Sequence, residues 1–444
     1  MYKSLVIACL LTGLVACNSK KDYDTVFKDP AIYCATVYQL NTVVMGNNFS
    51  PIVASRNYLY ANVAAYEVIA GAHPDAYQSL AGQLRGLQDV PRPIPGKPVD
   101  AEFSALLAFC KLGEAVTFPA GSMKDYVDSL KKLATDHGMP SDIYDNSLAF
   151  ADTVGSAIMQ WSKKDNYLQT RGAPEYTVMA DSPARWVPTP PAYTSAMEPH
   201  WNTIRSVVMD SANQFEAPAP YAFNIKDKNS DYYKEVMKLK NAGDSLSEEQ
   251  AHIADFWDDN PFKLNVSGHL MFGTKKFSPP GHWMSIVGIA AKKAGADFPT
   301  TVCAYAKTAV ALFDAFIECW NMKYRYNTVR PETVINKYID PNWRPHLQTP
   351  PFPEYTCGHS TCSSAAAEAL TSVFGDHFAY TDTTELEFGI KSRSFTSFRA
   401  AAEENNWARF YGGIHFHHSC IVSTEYGQKV GALVAEKLKM KKPK

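Results

Sequence analysis

Hydrophobic residues recur at helical spacing along most of the chain. Residues 54–70 mix alanines with large apolar side chains, and Gly71 follows as a stop signal. Further helical patterns cover residues 106–116, 123–137, 144–161, 245–258, 300–324, 360–374, 394–411 and 422–438. No run of useful length alternates polar and apolar residues as a half-buried strand would. The pattern predicts an all-α protein, a helical bundle with long irregular loops.

A proline-rich segment, residues 166–223, interrupts the helical patterns, because proline excludes long helices. Trp186 and Trp201 within it need burial, so we expect the segment to lie across the helical body. We therefore divide the chain into an N-terminal helical region, residues 29–260, and a C-terminal helical core, residues 261–440, which carries the candidate chemistry.

The first residues are typical of a secretory signal that ends at a lipidation site. A short apolar run, too short to span a bilayer, leads to Leu-Val-Ala and then Cys17. This junction resembles the bacterial lipobox, whose cysteine is acylated, and an ordinary signal with an incidental cysteine is the alternative. We expect residues 1–16 to be removed and residues 17–28 to form a lipid-anchored tether in the bacterial cell envelope, periplasmic or surface-exposed.

Charge and cysteine content argue against two classes of protein. Lysine and arginine number 43 against 45 aspartate and glutamate, a net charge of -2, so nothing indicates a nucleic-acid partner. The chain has 9 cysteines. Without Cys9 in the signal and Cys17, their number is odd and they are scattered, which argues against a disulfide framework.

The candidate chemistry lies in three short motifs of the last third. They contain Lys323 and Arg330, then Cys357, Gly358 and His359, then Arg409 and His415. Together they offer fixed positive charge, a helix start, a proton donor and a nitrogen ligand, as a bound tetrahedral oxyanion requires.

The first two motifs each have a structural alternative. If the helix continues past Lys323, Arg330 shares its face, and if it breaks before Pro331, Arg330 enters from a loop. Two solvated helix-end cations are the other interpretation. Gly358 permits close backbone approach to an anion at a helix start, where His359 would exchange protons, or His359 is an incidental cap residue.

In the third motif, a double-glycine turn lets Arg409 and His415 face one point. His415 would then be a nucleophile toward phosphorus or a nitrogen ligand to vanadium. The alternative is a transition-metal site of His415, His417 and His418, for which only Cys420 lies at a fitting offset.

The order of these motifs resembles the superfamily of PAP2 phosphatases and vanadium haloperoxidases, and most closely bacterial vanadium-dependent haloperoxidase-like proteins. Trp320 before Lys323, Phe352 ahead of the Gly-His turn, and residues 54–68 and 186–191 extend the resemblance over most of residues 45–437. It implies the helical bundle of that superfamily, with Trp320 and Phe352 as aromatic residues of the pocket.

The resemblance also implies roles for the motif residues. The oxyanion would be held by Lys323, Arg330, Arg409 and the Cys357-Gly358 turn, with His359 as the acid–base group and His415 as the covalent histidine. A haloperoxidase would use vanadate as cofactor and peroxide and a halide as substrates. A phosphatase would need no cofactor, because His415 would attack a phosphate ester directly.

Two positions depart from the family pattern. Cys357 stands where the family usually has serine, and a thiol is a weaker donor and is oxidisable, which weighs against sustained peroxide chemistry. Ser419 stands where the phosphatases often have aspartate, so the sequence identifies no carboxylate to orient His415. We predict a vanadium haloperoxidase-like oxidoreductase, with an acid phosphatase (phosphomonoesterase) as runner-up and a non-catalytic nutrient-binding surface lipoprotein as third candidate.

Overall fold

The computed structural model describes residues 21–179, 181–261, 263–267 and 270–442. The helices of its first half are α1 (Tyr23–Lys28), α2 (Pro30–Gly46), α3 (Pro51–Ala72), α4 (Ala101–Ala115), α5 (Lys124–Asp136), α6 (Ser141–Ser162) and α7 (Tyr167–Arg171). Those of the second half are α8 (Asp231–Asp244), α9 (Glu248–Phe256), α10 (Pro279–Ala294), α11 (Phe298–Tyr326), α12 (Pro331–Tyr338), α13 (Gly358–Phe374), α14 (Phe398–Tyr411) and α15 (His417–Lys437). The predicted all-α class is confirmed.

Two antiparallel strand pairs, which the sequence pattern did not reveal, accompany the helices. Strand β1 (Lys263–Ser267) pairs with β2 (Leu270–Thr274), and β3 (Tyr380–Asp382) pairs with β4 (Arg393–Phe395). The helix predicted over residues 394–411 begins only at Phe398, because Ser394 and Phe395 belong to β4 and Ser397 caps the helix. Both pairs are too short to show a period-two pattern in the sequence.

Helix α11 is the centre of the bundle and is buried on nearly all sides, as an apolar helix of this length requires. Asp297 caps its start by accepting a hydrogen bond from the Thr300 amide at 2.8 Å. The helix ends at Tyr326, and Asn327 follows in the left-handed conformation with φ of 49°. Arg330 then caps α12 from the connecting loop, which decides between the two arrangements that the sequence left open.

The proline-rich segment lies across the bundle, as its tryptophans predicted. Trp186 and Trp201 are fully buried. The Asp314 carboxylate on α11 accepts hydrogen bonds from three consecutive amides of the segment, those of Val207, Val208 and Met209, each at 2.8 Å. The segment is thus fixed to the helix that carries Lys323.

Two predictions about the N-terminal residues meet the structure differently. The signal and Cys17 lie outside the described residues. The tether was predicted to reach residue 28, and this is wrong for its last part, because α1 begins at Tyr23 and Phe27 is buried against Phe103 with ring centroids 5.0 Å apart.

In the described ranges, no helix combines the length and apolar character that a membrane crossing requires. The seven cysteines there are all free.

Candidate oxyanion-binding site

The motif residues come together at one buried place, where the end of α11, the start of α13 and the loop between α14 and α15 meet. Nη1 of Arg330 lies 3.2 Å from Nε2 of His415. The Lys323 ammonium and the Arg330 guanidinium both lie against the Phe352 ring, at 4.8 and 4.9 Å from its centroid. The Phe352 ring lies 5.0 Å from that of Trp320, so these two aromatic side chains form one wall.

Lys323 is fully buried, and its ammonium holds the loop that precedes α13. It donates to the carbonyls of Pro353 at 2.9 Å and Glu354 at 3.1 Å, and also to that of Thr356. Burial lowers the pKa of Lys323 to about 8. Since an ammonium has three donors, Lys323 must exchange one of these bonds to contact an oxyanion directly.

Arg330 is also fully buried, and two of its nitrogens donate to backbone carbonyls. Its Nε donates to the Phe352 carbonyl at 2.7 Å and its Nη1 to the Ile414 carbonyl at 2.8 Å. Nη2 is buried and has no hydrogen-bond partner among the described residues. Burial, partly opposed by the charge of Glu354, lowers the pKa of Arg330 to about 10.

Arg409, at the end of α14, is held in a similar way. Its Nη1 donates to the carbonyls of Trp257 at 2.6 Å and Asp258 at 3.3 Å. Its Nε is buried, and the described part of the chain offers it no partner. The two arginines are therefore fixed by backbone carbonyls, and each retains a donor.

His415 has the orienting carboxylate that the sequence did not identify. Its Nδ1 lies 3.0 Å from Oε1 of Glu354, and both side chains are 2% exposed. Ser419 donates to the other oxygen of Glu354 at 3.0 Å. Glu354, in the loop that precedes α13, thus orients the His415 ring as an aspartate at position 419 would. The sequence signal for Glu354 is its position four residues before Gly358 of the Gly-His turn.

Gly358 and His359 form the start of α13. A Cβ atom at Gly358 would lie 3.3 Å from the Trp320 ring, so the backbone approaches this wall closely. Burial, together with the charge of Arg409, holds the pKa of His359 well below its usual range. Nε2 of His359 is buried without a hydrogen-bond partner among the described residues.

Cys357 is fully buried beside His415. Its amide donates to Oγ of Ser423 at 2.8 Å, and its thiol is hydrogen-bonded with Cys420 and His415. Burial would raise the pKa of the Cys357 thiol, but the hydrogen bond from Cys420 and the charge of His415 lower it well below its usual range. The thiol at this position therefore contacts the candidate site instead of lying apart from it.

The three-histidine metal site considered from the sequence does not form. His417 lies 2.8 Å from the Lys238 ammonium and packs on Trp407, with ring centroids 4.5 Å apart. His418 stacks on Tyr221 at 4.3 Å. Neither shares a ligand position with His415.

A tetrahedral oxyanion fits the atoms that remain unpaired. Nη2 of Arg330 and Nε of Arg409 are donors that are buried without partners in the described ranges. A buried donor without a partner is costly, and charged donors bind oxyanions strongly. These two arginines and His415 are among the groups that the sequence selected for one ligand.

The chain is similar to one family of proteins and to several solved structures. The family described as the VCPO second helical-bundle domain matches residues 304–341 and 336–442. The crystal structure of a bacterial vanadium-dependent iodoperoxidase is similar at 44% identity and a TM-score of 0.87, over 93% of this chain and 97% of that one.

Two other solved structures share the fold at lower identity. A holo-type bacterial vanadium-dependent chloroperoxidase has a TM-score of 0.66 at 17% identity, over 89% of this chain and 93% of that one. An apo-type one has a TM-score of 0.65 at 17% identity, over 87% and 94%. A comparison with curated proteins found no match.

Proposed function

The chain belongs to the vanadium-dependent haloperoxidase family, and from that premise we propose that it oxidises a halide with peroxide while vanadate is bound at His415. The observation that carries the proposal is the contact between Nδ1 of His415 and Glu354 at 3.0 Å. With Nδ1 donating to the carboxylate, the lone pair of Nε2 is left for the ligand beside Arg330.

The protein's own groups divide the work of the site. Arg330 and Arg409 would neutralise vanadate through the donors that have no partner among the described residues, and Lys323 would add positive charge from α11. When bound, vanadate supplies a Lewis-acidic centre at which peroxide is activated toward a halide. His359 would give or take the proton that this exchange requires, because its ring lies at the start of α13 facing the same place.

The substrates are small molecules, and we propose iodide and bromide as the halides. The relative with 44% identity is an iodoperoxidase, which supports iodide. The wall formed by Phe352 and Trp320 excludes water and strengthens the electrostatic contacts of the buried cations. The same apolar wall supports the expectation of bromide oxidation.

The proposal is tested by two assays on one preparation, with and without added vanadate. One assay follows halogenation of an activated dione with peroxide and iodide or bromide, and the other follows phosphate release from an aryl phosphate. We expect vanadate-dependent halogenation, inhibited by phosphate because both anions compete for the same cations. His415→Ala should abolish it, whereas His417→Ala, on a histidine outside the site, should retain it.

A phosphomonoesterase is the second candidate, and Cys357 is the observation that favours it. A thiol in contact with His415 is exposed to oxidation in a site that handles peroxide, whereas phosphate transfer needs no oxidant. Phosphate release that vanadate suppresses, without halogenation at any vanadate concentration, would support this candidate and overturn the first. Vanadate would then act as a mimic of the five-coordinate transition state.

We propose in addition that the protein is anchored to the cell envelope through an acylated Cys17, which the Leu-Val-Ala-Cys sequence supports. Intact-mass measurement of protein extracted from membranes should show the lipid and the absence of residues 1–16. A Cys17→Ser variant should be released from the membrane fraction. Equal membrane association of the variant would contradict the anchor.

A further inference from the structure

A fully buried histidine, His282 on α10, lies between two carboxylates behind the candidate site. Its Nδ1 is 2.9 Å from Oδ1 of Asp259, and its Nε2 is 2.9 Å from Oδ2 of Asp382. Its ring stacks on Trp257 with centroids 4.8 Å apart. Because each ring nitrogen faces a carboxylate oxygen, both nitrogens must carry a proton to satisfy the two contacts.

Two further ionisable residues, Glu385 and Lys276, lie beside His282 and its carboxylates. Glu385 brings Oε1 to 3.9 Å from Nδ1 of His282, and the Lys276 ammonium lies 3.9 Å from the other oxygen of Glu385. Thr384 donates to Asp382 at 2.7 Å. A buried cation between paired carboxylates holds each of them in one orientation, because any movement would leave a charge unpaired.

The second oxygen of Asp259 faces the candidate site. Oδ2 of Asp259 lies 3.9 Å from Nε2 of His359, and both atoms are buried without a hydrogen-bond partner among the described residues. An acceptor and a donor of this kind complement each other. Catalytic hydrogen bonds are often long in the ligand-free state and shorten when the ligand binds.

The packing of α10 keeps His282 in place. The residue before it is Gly281, where a Cβ atom would lie only 2.4 Å from Oδ1 of Asn41 on α2. The amide of Asn41 donates to the Gly281 carbonyl at 3.2 Å. Helix α10 therefore lies directly against α2, and the position of the His282 ring is fixed by this contact as well as by its two carboxylates.

We propose that His282 is a positioning residue for His359, which it acts on through Asp259. His282 holds one oxygen of Asp259, so that the other oxygen receives Nε2–H of His359 and leaves Nδ1 of His359 to exchange a proton with the bound oxyanion. This inference rests on the proposed function, because it assigns a partner to the acid–base group of that function.

Two variants test whether His282 positions His359 through Asp259. The control is His377→Gln, which changes an exposed histidine. His282→Gln removes the buried cation, and Asp382→Asn is the milder change if the first variant does not fold. We expect kcat for halide oxidation to fall about 10- to 100-fold, within the contribution of general acid–base catalysis. The KM for peroxide and the Kd for vanadate should stay within about two-fold of wild type.

A second readout needs no activity. Nitrogen-15 chemical shifts of His359 in vanadate-free protein should show Nε2 protonated in the wild type and a mixture of tautomers in both variants. Unchanged His359 shifts, or equal losses of kcat and vanadate affinity, would overturn the positioning role. A stoichiometric divalent cation bound by Asp259, His282 and Glu385 would also overturn it, since the cation would replace the hydrogen bonds. If the wild type shows no vanadate-dependent halogenation, only the proposed function is overturned. The chemical shifts of His359 would still report whether His282 positions it through Asp259.

Discussion

Glu354 accepts a hydrogen bond from Nδ1 of His415 at 3.0 Å, and this contact determines which nitrogen of His415 faces the oxyanion site. The same carboxylate accepts from the Phe416 amide at 3.2 Å and from Ser419 at 3.0 Å, so it has little freedom to turn. Nε2 of His415 is left beside Arg330, where the arginine donates to it until a ligand takes its place.

The first prediction is that Glu354→Gln weakens vanadate binding more than it weakens the fold. Glutamine keeps the shape and one oxygen acceptor but removes the negative charge that faces Nδ1 of His415. We expect vanadate affinity to fall about 10- to 100-fold, the usual effect of losing such a partner. Equilibrium titration with vanadate measures it, and Glu425→Gln, on an exposed glutamate of α15, is the control. Equal affinities of wild type and Glu354→Gln would show that the charge is irrelevant.

The sequence was sufficient for the helical class, because the class depends on local patterns, whereas the roles of the residues in the three motifs stay predictions. Another local pattern is the capping box that Ser247 and Gln250 form at the start of α9. Helix ends were less accurate, since a short strand such as β4 leaves no periodic pattern. The position of Arg330 depended on where α11 stops, which Asn327 decides through its left-handed conformation.

Contacts between distant segments could not be predicted from the sequence. The pairing of His359 with Asp259 joins residues 100 positions apart, and no sequence pattern near either residue predicts the contact. Lys323 also uses its three donors on the carbonyls of residues 353, 354 and 356. The sequence does not predict these bonds, because they depend on how one loop folds. Motif spacing selected the residues of the site but not the atoms that are free to bind.

The second prediction is that Arg330→Lys weakens vanadate binding although it keeps the positive charge. Arg330 uses Nε and Nη1 for the carbonyls of Phe352 and Ile414 and retains Nη2 for the ligand. A lysine offers one ammonium at one place and cannot reproduce this planar set of donors. We expect at least a ten-fold loss of vanadate affinity in the titration.

Arg325→Lys is the matched control, because Arg325 is exposed and pairs with Glu216 at the surface. It should bind vanadate like the wild type. If Arg330→Lys also binds with wild-type affinity, charge alone holds the anion and the proposed role of the guanidinium is wrong.

The third prediction concerns Glu318, which is fully buried on α11 and has no hydrogen-bond partner for either oxygen within the described residues. Burial raises the pKa of Glu318 from its usual value of 4.5 to about 8. Between these values the folded protein keeps a proton that the unfolded chain has released. The stability that this proton provides is therefore present below about pH 4.5 and is lost as the pH rises through about 8.

Glu318→Gln should remove this dependence. We expect the free energy of unfolding of the variant, relative to wild type, to increase by up to about 1.4 kcal/mol per pH unit between about pH 5 and 8. Urea unfolding at several pH values measures the difference. The exposed Glu425→Gln should show no such slope, and a pH-independent difference for Glu318→Gln would refute the raised pKa.

The last prediction concerns Cys357, whose thiol is in contact with both His415 and Cys420. A hydroxyl at this position is a stronger hydrogen-bond donor toward a bound oxyanion than a thiol. We expect Cys357→Ser to bind vanadate more tightly by about 1 kcal/mol, or about five-fold in Kd. Since serine cannot be oxidised in this way, the variant should also complete more turnovers before peroxide inactivates it.

Cys110→Ser is the matched control, because Cys110 is equally buried but lies on α4, and burial raises the pKa of its thiol. Total turnovers at fixed peroxide, followed by peptide mass spectrometry, show which sulfur is modified. We expect oxidation at Cys357 in the wild type, and a lifetime of Cys110→Ser equal to that of wild type. If Cys357→Ser matches the wild type in both vanadate affinity and lifetime, the thiol contacts His415 without affecting the chemistry. The departure from serine would then be neutral, and the argument for a phosphatase that rests on it would lose its support.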